Sequence, residues 1–179
     1  MFFGSVPTKC LEQVFSIADF KTWNKAFVCC SGTFKIERLL YNKFPELPIY
    51  SNDVSLLPVA LGQLVNNTSF KVKFIKDLEF IENIISSDFI DRVAAILVAS
   101  EMCRHSGKNK HAKRHFQYYI DHFEQHHAKA KVSLTKFKDS FKLSGFFPGD
   151  WTDHIEEAIK QGAGILAFPP FFKGDYESM

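Results

Sequence analysis

Hydrophobic positions change their period several times along this chain, and each change predicts an element. In residues 7–20, Cys10, Leu11, Val14, Phe15 and Ala18 recur at three- to four-residue spacing. That predicts an amphipathic helix, with Thr8 as its cap. Residues 26–30, Ala-Phe-Val-Cys-Cys, form a continuous apolar run suited to a strand buried on both faces. The run stops at Ser31-Gly32-Thr33, and a second amphipathic helix follows over about 34–43, with Phe34, Ile36, Leu39 and Leu40 inward. Pro45 and Pro48 bracket a loop before a short strand at 49–51, which ends at Asn52-Asp53; a helix over 55–65 comes next. Strand, helix, strand, helix predicts an open parallel sheet of doubly wound type.

Residues 66–144 break this rhythm and are too long for one crossover. Residues 70–75 read as a short strand or extended piece. Residues 78–85, 89–103 and 111–127 or beyond read as helices, with a loop at Ser106-Gly107-Lys108-Asn109. The expectation is one domain over 1–179 with a mostly helical insertion at about 66–144. The α/β rhythm then returns. A weak strand at 143–147 ends at Pro148-Gly149-Asp150-Trp151, and a helix over 151–161 is capped by Asp150 or Thr152 and stopped by Gly162 and Gly164. A fourth strand at 164–168 runs into Pro169 and Pro170, which have no N–H for a sheet ladder.

Composition narrows the class. A chain of 179 residues with 46% hydrophobic positions and 20 Phe can bury a sizeable core. The net charge of +2 neither demands nor excludes nucleic acid. Cys10, Cys29, Cys30 and Cys103 lack C-x-x-C spacing and read as reduced thiols of a cytosolic protein. No apolar run has transmembrane length, and residues 1–5 lack the pattern of a signal peptide, so no membrane role is expected.

Candidate chemistry gathers at the four strand ends, where open α/β sheets bind ligands. Cys30-Ser31-Gly32-Thr33 offers a glycine turn and a helix N-terminus, or is an ordinary strand-to-helix turn. Asp53 can accept from a ribose diol, and can also cap the next helix. Asp150 can accept from an exocyclic amine and Trp151 can stack on a flat ring; a helix cap and a core indole are the plain alternatives. Phe168-Pro169-Pro170-Phe171 is a rigid aromatic segment whose carbonyls can accept, or a loop that plugs the core. No phosphate-binding glycine-rich loop is present in the sequence, which disfavours other doubly wound nucleotide enzymes.

These positions together resemble S-adenosylmethionine-dependent methyltransferases of the amino-methylating DNA class. The resemblance implies that Cys30, Ser31, Gly32 and Thr33 hold the methionine part of the cofactor, that Asp53 binds its ribose, and that Asp150 with Trp151 meets its adenine. It implies that the segment 168–171 holds the target amine. Phe3-Gly4-Ser5 is similar to the family's aromatic-glycine segment at the methionine end. Gly149-Asp150-Trp151, Phe168-Pro169-Pro170, Lys173-Gly174 and Tyr176-Glu177 further resemble the antirestriction adenine methyltransferases of bacteriophages. That implies adenine-N6 methylation of double-stranded DNA inside a bacterial host cell, protecting phage DNA from restriction.

The sequence departs from the family pattern in three ways. Ala26 stands where the strand usually carries an acid, and Cys30 where the turn has its other glycine. Phe168 stands where Asp, Asn or Ser accepts from the amine, which motivates a second reading as a non-catalytic binding module for nucleic acid or protein. The family sheet also continues past the proline motif, so a fragment, or a sheet completed by a partner, is expected.

Outside the strand ends, Arg104, Lys108, Lys110, Lys113 and Arg114 make a basic patch that either contacts DNA phosphates or is ordinary charged surface. His111, His115, His122 and His126 recur at spacings of four, seven and four. They read as a solvated helix stripe, and no metal is expected there, because one straight helix cannot surround a tetrahedral ion.

Overall fold

The computed structural model describes residues 8–105 and 109–168. The side chains of Thr8, Cys10 and His105, and all of residues 1–7, 106–108 and 169–179, lie outside that description. The chain divides into two compact units, one built from residues before Ala60 together with those from Leu143 onward, the other spanning Ala60–Lys142.

The first unit is α/β. Strands β1 (Ala26–Cys29), β2 (Ile49–Asp53), β3 (Gly145–Pro148) and β4 (Gly164–Ala167) form a parallel sheet in the order β3-β2-β1-β4. Every pairing is parallel, so all four carboxyl ends lie along one edge. Side-chain alternation sends the residues of each strand to opposite faces. Ala26, Val28 and Ile49 join Leu11 of α1 (Thr8–Ile17) and Ile36 and Leu40 of α2 (Lys35–Lys43) in one buried cluster. Phe27 and Tyr50 point the other way. Their rings stack at 5.0 Å, and Phe27 meets His154 of α7 (Trp151–Lys160) at 4.7 Å. Helices therefore cover both faces, as expected of a Rossmann-like doubly wound sheet. That cover explains why all four residues of β1 are buried.

Two local features hold this unit in register. Trp23 lies flat against β4 at Gly164: a Cβ there would stand 2.0 Å from the indole, so only glycine admits the ring. The imidazole of His154 contacts the Tyr50 carbonyl at 3.3 Å and lies parallel to the Phe147 ring at 6.0 Å. Burial holds its pKa below the usual histidine range, so the ring is a neutral spacer between α7 and the sheet.

The second unit is helical. It contains most of α3 (Leu56–Val65), α4 (Phe89–Met102), α5 (Lys110–Asp121) and α6 (Phe123–Asp139). Residues 70–75 form no strand. Their backbone is held instead by side chains: Glu82 accepts from the Phe74 amide at 2.7 Å, and Arg92 donates to the Val72 carbonyl at 3.1 Å and to Glu82 at 3.2 Å. The expected helix at 78–85 is a 3-10 helix, Lys76–Asn83. The single helix expected from residue 111 is broken at His122, whose backbone (φ −120°, ψ 20°) leaves the helical region and starts α6. Asp91 of α4 is bonded to Ser86 and Lys131, and its own carbonyl meets His127 at 2.9 Å, so this acid joins α4 to α6.

Candidate functional site at the strand ends

The turn after β1 is built from left-handed residues. Cys30 (φ 61°), Gly32 (φ 54°) and Phe34 (φ 58°) alternate with Ser31 and Thr33, and the Phe34 amide donates to the Ser31 carbonyl at 2.9 Å. Glycine takes this conformation at no steric cost, whereas Cys30 and Phe34 hold it under strain. The backbone thus has a glycine-like shape at Cys30, where the sequence has no glycine. Phe34 is held there by its ring, which is fully buried and 6.0 Å from that of Phe146. Cys30 is only half-buried. We expect Cys30→Gly to raise stability by about 0.5–1 kcal/mol and Cys30→Val to lower it, read by urea denaturation.

The turn is tied to the end of β2 at three points. Ser31 donates to the Asn52 carbonyl from its amide (2.9 Å) and from its hydroxyl (3.0 Å). The Gly32 amide donates to Asp53 Oδ2 at 2.9 Å. The other oxygen, Oδ1, accepts from the amides of Val54 (2.8 Å) and Ser55 (2.9 Å), which starts the chain toward α3. Asp53 is 5% exposed. A carboxylate offers roughly four acceptor positions. Among the described residues three are occupied by the protein's own amides, leaving one, on the oxygen that faces the turn.

Asn52 sets the next strand end. Its amide nitrogen donates to the carbonyls of Phe147 (3.1 Å) and Gly149 (2.6 Å), which fixes the start of the Gly149-Asp150-Trp151 segment against β2. Asp150 then caps α7, accepting from the Thr152 hydroxyl (2.6 Å) and amide (2.8 Å). Those bonds hold its carboxyl below the usual range. Asp150 remains exposed, and Trp151 is 38% exposed, so the carboxylate and the indole face are accessible. Burial, then the charges of Asp53 and Asp150, push the Cys30 thiol up to about 11. A thiol in that state stays protonated and is no nucleophile.

Phe168 follows β4 beside β1, with its amide near the Cys29 carbonyl at 3.5 Å. Its ring is half-buried and packs on the cluster that includes Val28 and Leu166. Pro169, Pro170 and Phe171 lie outside the described residues, as do Phe3 and Lys108. Among the described residues, the strand ends therefore bring together Cys30, Ser31, Gly32, Thr33, Asp53 and Asp150 with Trp151. The basic positions are separate from them in the chain's organisation: Arg104, Lys110, Lys113 and Arg114 belong to the helical unit, all exposed, with Arg104 paired to Glu101 at 3.2 Å.

The histidine stripe divides between surface and packing. His111 and His122 are exposed, whereas His115 contacts the Glu101 carbonyl at 3.0 Å and His126 stacks on Tyr119 at 4.5 Å. Burial lowers the pKa of His126. Among the described residues no group of three or more His, Cys, Asp or Glu side chains is arranged to hold a metal ion.

One residue of this region carries no sequence-level assignment. Glu37, in the first turn of α2, is 0% exposed and accepts from the Ser51 hydroxyl at 3.0 Å. Desolvation raises its carboxyl to about 7, although Ser31 and Ser51 bonding opposes the shift. The signal was present in the periodicity, because Glu37 stands three residues from both Phe34 and Leu40 and so on the buried face.

A family model described as Phage DNA Adenine Methylase-like domain 1 matches residues 2–179. No curated protein matches the chain. No solved structure matches it either.

Proposed function

Because the chain belongs to the phage DNA adenine methylase-like family, we propose that it is an S-adenosylmethionine-dependent DNA adenine-N6 methyltransferase whose product protects phage DNA from host restriction. The observation that carries this reading is the tying together of three strand ends, with Asp53 bonded to Gly32 and Asn52 bonded to the Phe147 and Gly149 carbonyls next to Asp150. The donor set fits an adenosine. One acceptor position of Asp53 takes a single ribose hydroxyl, a narrower contact than a two-oxygen grip on the diol. Asp150 accepts from the exocyclic amine, and the accessible face of Trp151 stacks on the ring. The Cys30-Ser31-Gly32-Thr33 turn would receive the methionine part, and by family resemblance Phe3 would contribute to the same contact.

When bound, S-adenosylmethionine supplies an electrophilic methyl group on its sulfonium sulfur. The chain's own task is then placement. The segment Phe168-Pro169-Pro170-Phe171 would hold the target amine, with main-chain carbonyls as acceptors because the Phe168 ring has none. Arg104, Lys108, Lys110, Lys113 and Arg114 neutralise phosphates of double-stranded DNA, which makes binding salt-dependent. No helix among the described residues is long and apolar enough to cross a membrane.

Titration calorimetry of folded protein with S-adenosylmethionine is expected to give saturable heat, and labelled methyl is expected on unmethylated DNA. Absence of heat on a folded sample sinks the reading. One observation favours a second reading, a cofactor- and nucleic-acid-binding module without catalysis: the Phe168 ring packs into the core and offers no oxygen to an amine. Cofactor heat without methyl transfer, persisting in Phe168→Asn and Phe168→Asp, is the result that selects it.

A further inference from the structure

Glu37 has no task in methyl transfer, yet it is buried next to the site. It lies in the first turn of α2, directly after the Cys30–Phe34 turn, and its Oε1 meets the hydroxyl of Ser51, itself fully buried. Its Oε2 is buried and is within hydrogen-bond distance of no partner among the described residues. Ser51 precedes Asn52 and Asp53, the two residues that receive the turn's other bonds. The Glu37–Ser51 contact is thus a further tie between the segment that begins at Cys30 and the end of β2. It differs from the Ser31 and Gly32 ties in having a proton to lose.

The surroundings set the consequence of losing it. Ser31 faces the carboxyl from the turn, Ser51 and Asp53 act on it from β2, and Cys29 of β1 shares its field. None of these is cationic, and Asp53 is an anion. An ionised Glu37 would hold a buried charge that meets no counter-charge among the described residues, an arrangement that folded proteins relieve by opening toward water or by keeping the proton. Opening here means moving the first turn of α2 away from Ser51, which pulls on Phe34, Gly32 and hence on the Gly32–Asp53 bond.

We propose that Glu37 is a positioning residue for the Cys30–Phe34 turn, holding α2 to β2 through Ser51, and that the turn binds its ligand only while this carboxyl carries its proton. The ligand half of this inference rests on the cofactor reading of the turn; the tie itself does not. Cofactor affinity then weakens as the pH rises through neutrality, and the site is at its tightest in mildly acidic solution.

Calorimetry with S-adenosylhomocysteine at about pH 6 and about pH 8 tests the ligand half. The wild type is expected to lose about tenfold in affinity over that interval, the limit for one required proton with a midpoint near neutrality. Glu37→Gln keeps the size and cannot ionise, so it should bind at about pH 8 as tightly as the wild type does at about pH 6. The same slope in both proteins, or no slope in the wild type, overturns the proposal. Amide exchange of the peptide covering residues 30–37 in the unliganded wild type needs no variant. After correction for intrinsic rates, protection there should fall between about pH 6 and about pH 8 while that of β1 is kept. No calorimetric heat at either pH overturns the cofactor reading, and exchange then decides the tie: a loss of protection upholds it, and unchanged protection overturns it.

Discussion

Asp53→Asn is expected to weaken S-adenosylmethionine binding by about 10–100-fold, the worth of one hydrogen bond to a charged acceptor in a partly dry site. The amide oxygen can still receive the Val54 and Ser55 amides, as Oδ1 does at 2.8 and 2.9 Å. The amide nitrogen then stands where Oδ2 accepts from Gly32 at 2.9 Å, placing donor against donor. It also removes the acceptor position proposed for the ribose. Binding and turn geometry fail together, and stability should fall by about 1–3 kcal/mol. Asp53→Ala leaves three amides without their acceptor and should cost more stability. Calorimetry for affinity and urea denaturation for stability separate the two effects. Unchanged affinity in a folded Asp53→Asn protein would remove Asp53 from the cofactor site.

The second large effect concerns stability against pH. Glu37 has a carboxyl raised from 4.5 to about 7 by burial. Between those values the folded chain keeps a proton that the unfolded chain releases, so stability falls as pH rises. The contribution is fully present below about pH 4.5, declines through the interval, and is gone above about pH 7, where both states are ionised. A shift of this size corresponds to about 3 kcal/mol. Other groups add their own slopes. Asp91, held low first by its bond to Lys131 and then by Ser86, contributes in the opposite sense, with stability lost on acidification. The informative quantity is therefore the difference between wild type and Glu37→Gln. The wild-type unfolding free energy, measured with urea from about pH 5 to about pH 8, should drop relative to the variant by about 2.5 kcal/mol. Parallel curves would show that the carboxyl ionises freely in the fold.

Part of the site was readable from local pattern alone. The apolar run at 26–30 suited a covered strand, and β1 is buried at all four positions. Asp53 ends one strand and Asp150 follows another, each before a helix, and both make the bonds to following amides that such positions favour. The shape of the turn was hidden, because Cys30 and Phe34 are not residues that announce φ above zero; packing and the ties to β2 hold them there. The break at His122 was hidden too. One residue outside the helical region leaves histidines and aromatics on both sides at helical spacing, so the pattern reads through it. At 70–75 the residues suit an extended chain, but no strand pairs with them, and Glu82 and Arg92 take the backbone groups instead.

The sequence by itself determined the order of elements in the α/β unit, the doubly wound class and the acids at the strand ends, because helix and strand periods and capping are set by neighbours a few residues apart. Tertiary structure decided what those groups meet. The partners of Gly32, Asn52 and Glu37 lie on other strands or beyond them, at Asp53, Phe147 and Ser51. Strand order and register create those meetings, and with them a buried carboxyl whose proton a local pattern does not reveal.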